Sequence, residues 1–259
     1  MSKNFLFYSC NNLNEDTLFV SSGTSTASRM YDNDTSTVWG AADTAATLSF
    51  SFDPYFPETG RLTATTLIFV GINWQSFTIS DGLTTSANIV DGPTTSANFI
   101  SNSASTLFLI MPYANTSPSW SITVNSTFDN SVASCAEWYV LSEITELERN
   151  PKFGDYKPVI MRQSYEHEMQ DGGTIIYELE NKFQASIKIG NISETQQSEL
   201  LEVYDYTGEF YFIPDGTTTS WGGKIYKCNW IGDFNFYNYA ENIKDNGFTG
   251  SFRIQEASN

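Results

Sequence analysis

The sequence is poor in the residues from which most enzymes and metal centres are built. Its 259 residues include one histidine and three cysteines, which weighs against histidine-based catalysis and against a multi-histidine metal centre. Cations are also scarce, since 13 Lys and Arg stand against 30 Asp and Glu, for a net charge of −17. A surface this negative repels phosphate backbones and anionic lipid headgroups, so we expect neither nucleic-acid nor membrane partners.

Long apolar runs and paired cysteines are missing as well. The N-terminal stretch Phe5–Tyr8 is interrupted by Asn and acidic residues before it reaches the length of a signal-peptide core, and no run approaches the ~18 residues that cross a bilayer. Cys10, Cys135 and Cys228 fit no zinc motif and no disulfide framework. Three reduced, mostly buried thiols are the favoured interpretation, and a Cys10–Cys135 pair remains open.

The composition changes near residue 150, which predicts two domains. Residues before this point are rich in Ser and Thr and nearly free of lysine, whereas lysines recur from Lys152 onward. The polar stretch between them contains Pro151 and Gly154, as linkers often do. We predict a first domain at residues 1–148, a linker at 149–156 and a second domain at 157–259.

The first domain has the pattern of an antiparallel β-sandwich. Residues 47–52 alternate with period two, and residues 65–70 form a more continuous apolar run of the kind found in sandwich cores. Four further short apolar runs follow, separated by Gly, Pro, Asn and Ser. About eight short strands without a long helix indicate a sandwich.

The second domain combines strands with one helix. Alternating or β-branched runs at residues 159–161, 174–179 and 184–189 predict strands, and an aromatic strand is predicted at residues 209–214. Ser193 has the position of an N-cap, and Gln196, three residues on, completes a capping-box pattern for a helix near 193–204. The fold class is therefore mainly β: a jelly-roll β-sandwich followed by an α+β barrel-like domain with one helix on a five- or six-stranded sheet.

An acidic turn is the sharpest local pattern of the chain. Asp32 and Asp34 alternate with hydroxyl-bearing residues up to Thr37, and Ca²⁺ takes 6–8 oxygen ligands of this hard type. A turn that only satisfies its own backbone with these side chains is the alternative. The residues by themselves leave both interpretations open.

This turn also carries a resemblance to a known family. The order Asp32, Asp34, Thr37, Trp39, followed by a Ser80-Asp81-Gly82 turn and a closing strand with an embedded glutamate, resembles galactose-binding-like domains of the discoidin, or coagulation factor 5/8 type C, family. The resemblance covers roughly residues 10–148. It implies a jelly roll that in many members holds a structural calcium ion, with Asp32, Asp34, Thr37 and Glu143 as candidate ligands.

The same resemblance implies recognition of sugars, lipids or protein surfaces through loops at one end. Sugar sites combine an aromatic platform with polar groups that bind hydroxyls. Trp74, flanked by Asn73 and Gln75, is the best candidate platform, and Tyr113 and Trp120 are further candidates. Core packing is the alternative for each aromatic residue.

No catalytic constellation is present in the second domain, and we expect a protein that is not an enzyme. The order of a strand ending at Ile189, a helix entered at Ser193 and an aromatic strand ending in Pro214-Asp215 resembles tail-tube-like and distal-tail modules of bacteriophages. The resemblance implies a barrel-like unit that assembles into rings through its sheet edges.

Together, the two resemblances imply a structural component of a tailed-phage virion, located in the tail tip, the baseplate or an adaptor. Its expected partners are itself and other phage tail proteins, and its first domain is expected to contact a host-surface glycan. The resemblances also imply that the protein is located in the virion tail, after assembly in the bacterial host cytoplasm. The alternative is a stand-alone bacterial carbohydrate-binding module without a virion role.

Overall fold

The computed structural model of the chain is mainly β, as predicted. It describes residues 5–9, 11–51, 64–80, 94–96, 99–101, 106–115, 119–169, 173–206, 208–214, 224–238 and 247–257. These residues form strands β1 to β18, one α-helix and two 3-10 helices. All strand pairs with a described register are antiparallel. No helix among the described residues is both long and apolar enough to span a membrane.

Two compact units form, and their limits differ from the predicted boundary at residue 148. The sandwich unit spans Ser9–Glu143, and the sheet unit combines residues 5–8 with residues from Ile144 onward. The difference arises because β1 (Leu6–Tyr8) pairs with a strand near residue 212 and not with its neighbours in sequence. Local composition carries no information about such a long-range pairing.

The sandwich unit contains three sheets. A six-stranded sheet has the order β2-β4-β10-β6-β8-β7, a three-stranded sheet the order β12-β5-β9, and β11 pairs with β3. Its 3-10 helices are Thr24–Met30 and Phe128–Asn130. The strands are β2 (Leu18–Val20), β3 (Trp39–Gly40), β4 (Ala46–Ser51), β5 (Ala64–Val70), β6 (Trp74–Ser80), β7 (Thr94–Ser96), β8 (Phe99–Ser101), β9 (Thr106–Asn115), β10 (Ser119–Thr127), β11 (Ser134–Cys135) and β12 (Glu137–Leu141).

One aromatic core joins the two larger sheets. Phe50 of β4 lies 6.5 Å from Trp138 of β12, and Phe69 of β5 lies 6.0 Å from Phe77 of β6, measured between ring centroids. All four side chains are fully buried. Because the side chains of a strand alternate between its faces, the period-two runs place one apolar row of each sheet in this core. The predicted sandwich is therefore confirmed.

The sheet unit is a single sheet of seven strands in the order β13-β1-β16-β17-β18-β15-β14. It exceeds the predicted five or six strands because β1 and β13 join it. Its remaining elements are β13 (Glu143–Glu146), β14 (Tyr156–Glu168), β15 (Thr174–Ile192), α1 (Glu194–Asp205), β16 (Phe210–Ile213), β17 (Tyr226–Asn238) and β18 (Phe248–Glu256).

Helix α1 begins where the sequence predicts, but one half of the predicted capping box is wrong. The Ser193 hydroxyl accepts a hydrogen bond from the Gln196 N–H at 3.0 Å, as an N-cap does. The buried Gln196 amide instead donates to the Thr145 hydroxyl at 2.7 Å and accepts from the Glu148 N–H at 2.5 Å. The Ser193 N–H, whose hydrogen bond the Gln196 side chain would accept in a capping box, donates to the Glu148 carboxylate at 3.3 Å. The helix is thereby fastened to β13.

The cysteines that the structure describes are unpaired. Cys135 and Cys228 are buried free thiols, as the favoured interpretation expects. Cys10 lies outside the described residues.

Candidate functional site

The acidic turn before β3 is organised by its own hydrogen bonds. Asp32 Oδ1 accepts from the Asp34 N–H at 2.9 Å, and Asp32 Oδ2 accepts from the Thr37 hydroxyl at 2.8 Å. Asp34 Oδ1 accepts from the Ser36 N–H at 2.9 Å and from the Ser36 hydroxyl at 2.6 Å. Asn33 adopts a left-handed φ of 60°, a conformation that Asn tolerates better than most residues. The backbone-satisfying turn is therefore present.

A third carboxyl group, from Glu137, joins this turn. Cys135 of β11 pairs with Trp39 of β3, and β12 begins two residues later at Glu137. This pairing brings the start of β12 beside a turn that is remote in sequence. The Glu137 side chain is fully buried. It interacts with the Asp32 carboxyl and the Asp34 N–H, but neither of its oxygens makes a hydrogen bond of regular geometry with a described residue. A buried carboxyl that is only partly satisfied is costly, so it points to a group that a ligand could satisfy.

The electrostatics of Glu137 depend on burial and on Asp32. Burial, followed by the neighbouring Asp32 carboxyl, raises the pKa of Glu137 from 4.5 to about 8, and the Asp34 N–H lowers it in part. That N–H is directed at Asp32 Oδ1, so it only partly offsets the burial. At neutral pH the Glu137 carboxyl is mostly protonated unless a cation lies beside it. Burial, followed by the charge of Glu137, also raises the pKa of the Cys135 thiol.

The arrangement supplies oxygen ligands of the kind that Ca²⁺ prefers, but the set differs from the predicted one. Asp32, Thr37 and Glu137 come together, and Glu137 is not among the predicted ligands. Glu143 is exposed at the start of β13, and its place in a calcium site stays a prediction. The Asp34 carboxylate is turned toward Ser36, and the described residues contain no group of three His, Cys, Asp or Glu side chains arranged to hold a metal ion.

The predicted glycan platform is corrected as well. Trp74 is fully buried, and its ring lies 5.3 Å from Phe69 and 5.4 Å from Phe77, so it is part of the core. The Asn73 amide is occupied, because its Nδ2 donates to the Ser131 hydroxyl at 2.9 Å and to the Val132 carbonyl at 2.7 Å. Its Oδ1 accepts from a backbone N–H at 2.9 Å.

The other three predicted ligand residues remain predictions. Gln75 is exposed on β6. Tyr113 lies in β9 and Trp120 in β10, and their side chains lie outside what the structure describes.

A different aromatic pocket lies on the surface of the sandwich unit. It has a volume of about 380 Å³ and lies between β2 and the first 3-10 helix, with Phe19, Tyr31 and Glu15 in its lining. Phe19 is 58% exposed. Burial, and then the charges of Glu15 and Asp16, raise the pKa of Tyr31, so its hydroxyl stays a hydrogen-bond donor. An exposed ring beside hydroxyl and carboxylate groups is the combination that sugar sites use.

The comparisons with known proteins give similarity for about half of the chain. No protein-family model and no curated protein matches the sequence. The structure is similar to chitosan-binding module 1 of a chitosanase/glucanase from Paenibacillus sp. IK-5, with 16% identity and a TM-score of 0.36 over 52% of this chain and 99% of the module. A selenomethionine-labelled point mutant of the same module matches with 16% identity and a TM-score of 0.37 over 51% of this chain and 98% of the module.

The sheet unit carries a second candidate surface, the hairpin extension, formed by residues 159–168 of β14 and 174–183 of β15. β15 pairs with β18 only from Gln184 onward, whereas its pairing with β14 continues to Thr174. In the described part of the chain, the extension is therefore a two-stranded ribbon that leaves the sheet. Its exposed apolar side chains are Val159 (53%), Ile160 (61%), Ile176 (55%) and Tyr177 (51%).

Two residues of the candidate sites in the sandwich unit, Glu137 and Phe19, were not predicted from the sequence. Glu137 had a usable signal, because it stands alone as a charged residue in an otherwise apolar run from Cys135 to Leu141, and such a residue is rarely buried without a partner. Phe19 had no such signal in the sequence, because Leu18-Phe19-Val20 has the pattern of an ordinary core strand.

The raised pKa of Glu137 predicts a pH-dependent stability. Because the folded-state pKa lies above the unfolded value, the stabilisation is fully present below about pH 4.5 and is lost as the pH rises toward about 8. We expect the melting temperature of the calcium-free protein to fall across this range, and Glu137→Gln to remove part of the fall. Differential scanning calorimetry across the pH series measures the melting temperature, with Glu143→Gln, a change at an exposed position, as the control. If the melting temperatures of wild type and Glu137→Gln fell equally with pH, the raised pKa would not belong to Glu137.

Proposed function

We propose that the chain is a non-enzymatic structural component of a tailed-phage virion. In this proposal the sheet unit assembles with copies of itself and with other tail proteins, in the tail tip, the baseplate or an adaptor, after synthesis in the bacterial host cytoplasm. The sandwich unit contacts a host-surface glycan. The hairpin extension is the observation that carries the proposal.

The first argument for assembly is the backbone of the extension. Each strand of a two-stranded ribbon has an outer row of N–H and C=O groups, and an isolated hairpin is at best marginally stable in water. Residues 174–183 have β14 as their only strand partner among the described strands. An extension of roughly 30 Å, at ~3.3 Å per residue, becomes stable when a neighbouring subunit packs on it or adds a strand to it.

The second argument is the chemistry of its side chains. Ile160, Ile176 and Tyr177 are each more than half exposed, and they are distributed along the length of the extension. Exposed apolar side chains on one element are typical of interfaces, where burial of apolar area drives association. The order of elements that underlies the resemblance to tail modules is also present, as β15, α1 and β16.

Assembly predicts a concentration-dependent oligomer. We expect rings or larger assemblies of the full chain by sedimentation velocity and electron microscopy. Ile160→Glu with Ile176→Glu should shift the protein to monomers, because two buried interface side chains then carry charges. Leu201→Glu, at an exposed apolar position of α1 that is 38% exposed, is the control and should assemble normally. A wild-type protein that remains monomeric at every concentration would overturn the proposal.

The glycan part of the proposal rests on the Phe19 pocket. The ring of Phe19 offers a platform to a pyranose face, and Tyr31 and Glu15 offer a donor and an acceptor for its hydroxyls. This pocket also supports the second candidate function, a stand-alone carbohydrate-binding module, which would bind sugar as a monomer.

The proposed glycan site predicts that removal of the Phe19 ring weakens glycan binding. Phe19→Ala should weaken binding to the best ligand of a glycan array by about tenfold or more, since a sugar–aromatic contact of ~1.5 kcal/mol is lost. Phe153→Ala removes a fully exposed ring from the other unit and should leave binding unchanged. Isothermal titration calorimetry measures both variants. Equal affinity of Phe19→Ala and wild type would exclude the pocket.

We further propose that Ca²⁺ occupies the space between Asp32 and Glu137, with Thr37 beside it. Its charge would hold Glu137 in the ionised form, which burial disfavours. Because binding to the folded state stabilises it, Ca²⁺ should raise the melting temperature of wild type at pH 8 and of Glu143→Gln alike. It should not raise that of Glu137→Gln. The same calcium shift in Glu137→Gln would rule out this site.

A further inference from the structure

We propose that a basic pocket at the base of the hairpin extension binds the acidic tip of the same extension in a second copy of the chain. The inference rests on the assembly proposed above and specifies which surfaces meet. The pocket has a volume of about 600 Å³ and lies wholly within the sheet unit.

The pocket concentrates positive charge in a strongly acidic protein. Arg149, Lys152 and Lys188 line it together with one carboxylate, Asp155. The chain has only 13 Lys and Arg in total. All three cations are exposed, and none has an ion-pair partner among the described residues. The pocket therefore favours an anionic group from outside the unit.

The outer part of the extension, called the tip, is negatively charged and so is opposite in sign to the pocket. It is the segment between Arg162 and Lys182, which contains five Asp and Glu and no Lys or Arg. Glu166 and Glu168 are exposed near the end of β14, and residues two apart in a strand point to the same face. The hairpin is thus positive at its base and negative at its tip.

A chain cannot satisfy its own pocket with its own tip. β14 and β15 stay paired from Tyr156 and Ile187 to Glu168 and Thr174. The 13 residues of β14 place the two ends roughly 40 Å apart at ~3.3 Å per residue. The complementary charges can therefore meet only between copies, head to tail. Repetition of such a contact generates a ring when its rotation closes.

The charges are expected to set the register of the contact, while the apolar side chains of the extension supply most of the affinity. Exposed ion pairs contribute little each and are screened by salt. Reversal of the three pocket cations together should weaken self-association by about tenfold or more at low salt. The effect should shrink at high salt.

Charge reversal with rescue tests the contact. The pocket variant is Arg149→Glu with Lys152→Glu and Lys188→Glu, and the tip variant is Glu166→Lys with Glu168→Lys. We expect each variant alone to assemble more weakly than wild type in sedimentation velocity, and the combination of both to recover assembly. Lys224→Glu reverses an exposed lysine of the same unit outside the pocket and should assemble like wild type.

Cross-linking identifies the partners directly. A zero-length carbodiimide should join Lys152 or Lys188 to Glu166 or Glu168, and a mixture of isotopically light and heavy protein should yield mixed cross-links between copies. Wild-type assembly that the pocket variant retains would overturn this contact and leave the assembly function standing. A wild type that never assembles would overturn both.

The same variants distinguish the two possible occupants of the basic pocket, the acidic tip of a second copy and a small anion. Loss of assembly in the pocket variant with no effect of the tip variant would overturn the tip as occupant. Saturable binding of inorganic phosphate to the pocket of the monomer, with assembly unchanged by the pocket variant, would make it a small-anion site and also overturn the proposal.

Discussion

The pairing of β1 with its neighbours is the constraint on which the architecture depends. Leu6, Phe7 and Tyr8 are fully buried, and Phe7 lies 5.3 Å from Phe212 and 6.1 Å from Phe252 between ring centroids. The Leu147 N–H donates to the Phe5 carbonyl at 2.9 Å, so the chain leaves this sheet after β1 and returns to it at β13. The whole sandwich unit is thus inserted in sequence between two adjacent strands. Its two ends are held together, which keeps the loop-closure cost of the insertion low.

The sandwich unit combines a well-packed core with an unfavourably buried carboxyl group. Its large aromatic residues fill the space between the sheets, whereas the buried Glu137 carboxyl is only partly compensated by the Asp34 N–H. Proteins retain such groups where binding repays the cost of burial. The neighbouring Asp32 makes the pair repulsive when both groups are ionised and favourable when a cation lies between them.

The sheet unit contains a hydrogen-bonded body and an extension with several exposed apolar side chains. Helix α1 is fastened through Gln196 and Glu148 near β13, and Glu256 accepts from the Phe183 N–H at 2.7 Å where β15 leaves the sheet. Beyond that point the two long strands continue with exposed apolar side chains. A hydrogen-bonded body with a ribbon that has no further strand partner in the described part of the chain is typical of subunits that complete their structure by association.

Local patterns alone determined many of the strands, the helix start at Ser193 and the acidic turn, because period-two alternation, N-cap chemistry and Asx turns involve residues close in sequence. Only the tertiary structure decided that Glu137 joins Asp32, and that Trp74 lies in the core. Both outcomes follow from pairings between distant strands, such as Cys135 with Trp39. The membership of β1 and the projection of the hairpin beyond β18 have the same origin. Which face of a strand is covered depends on partners that no local window contains.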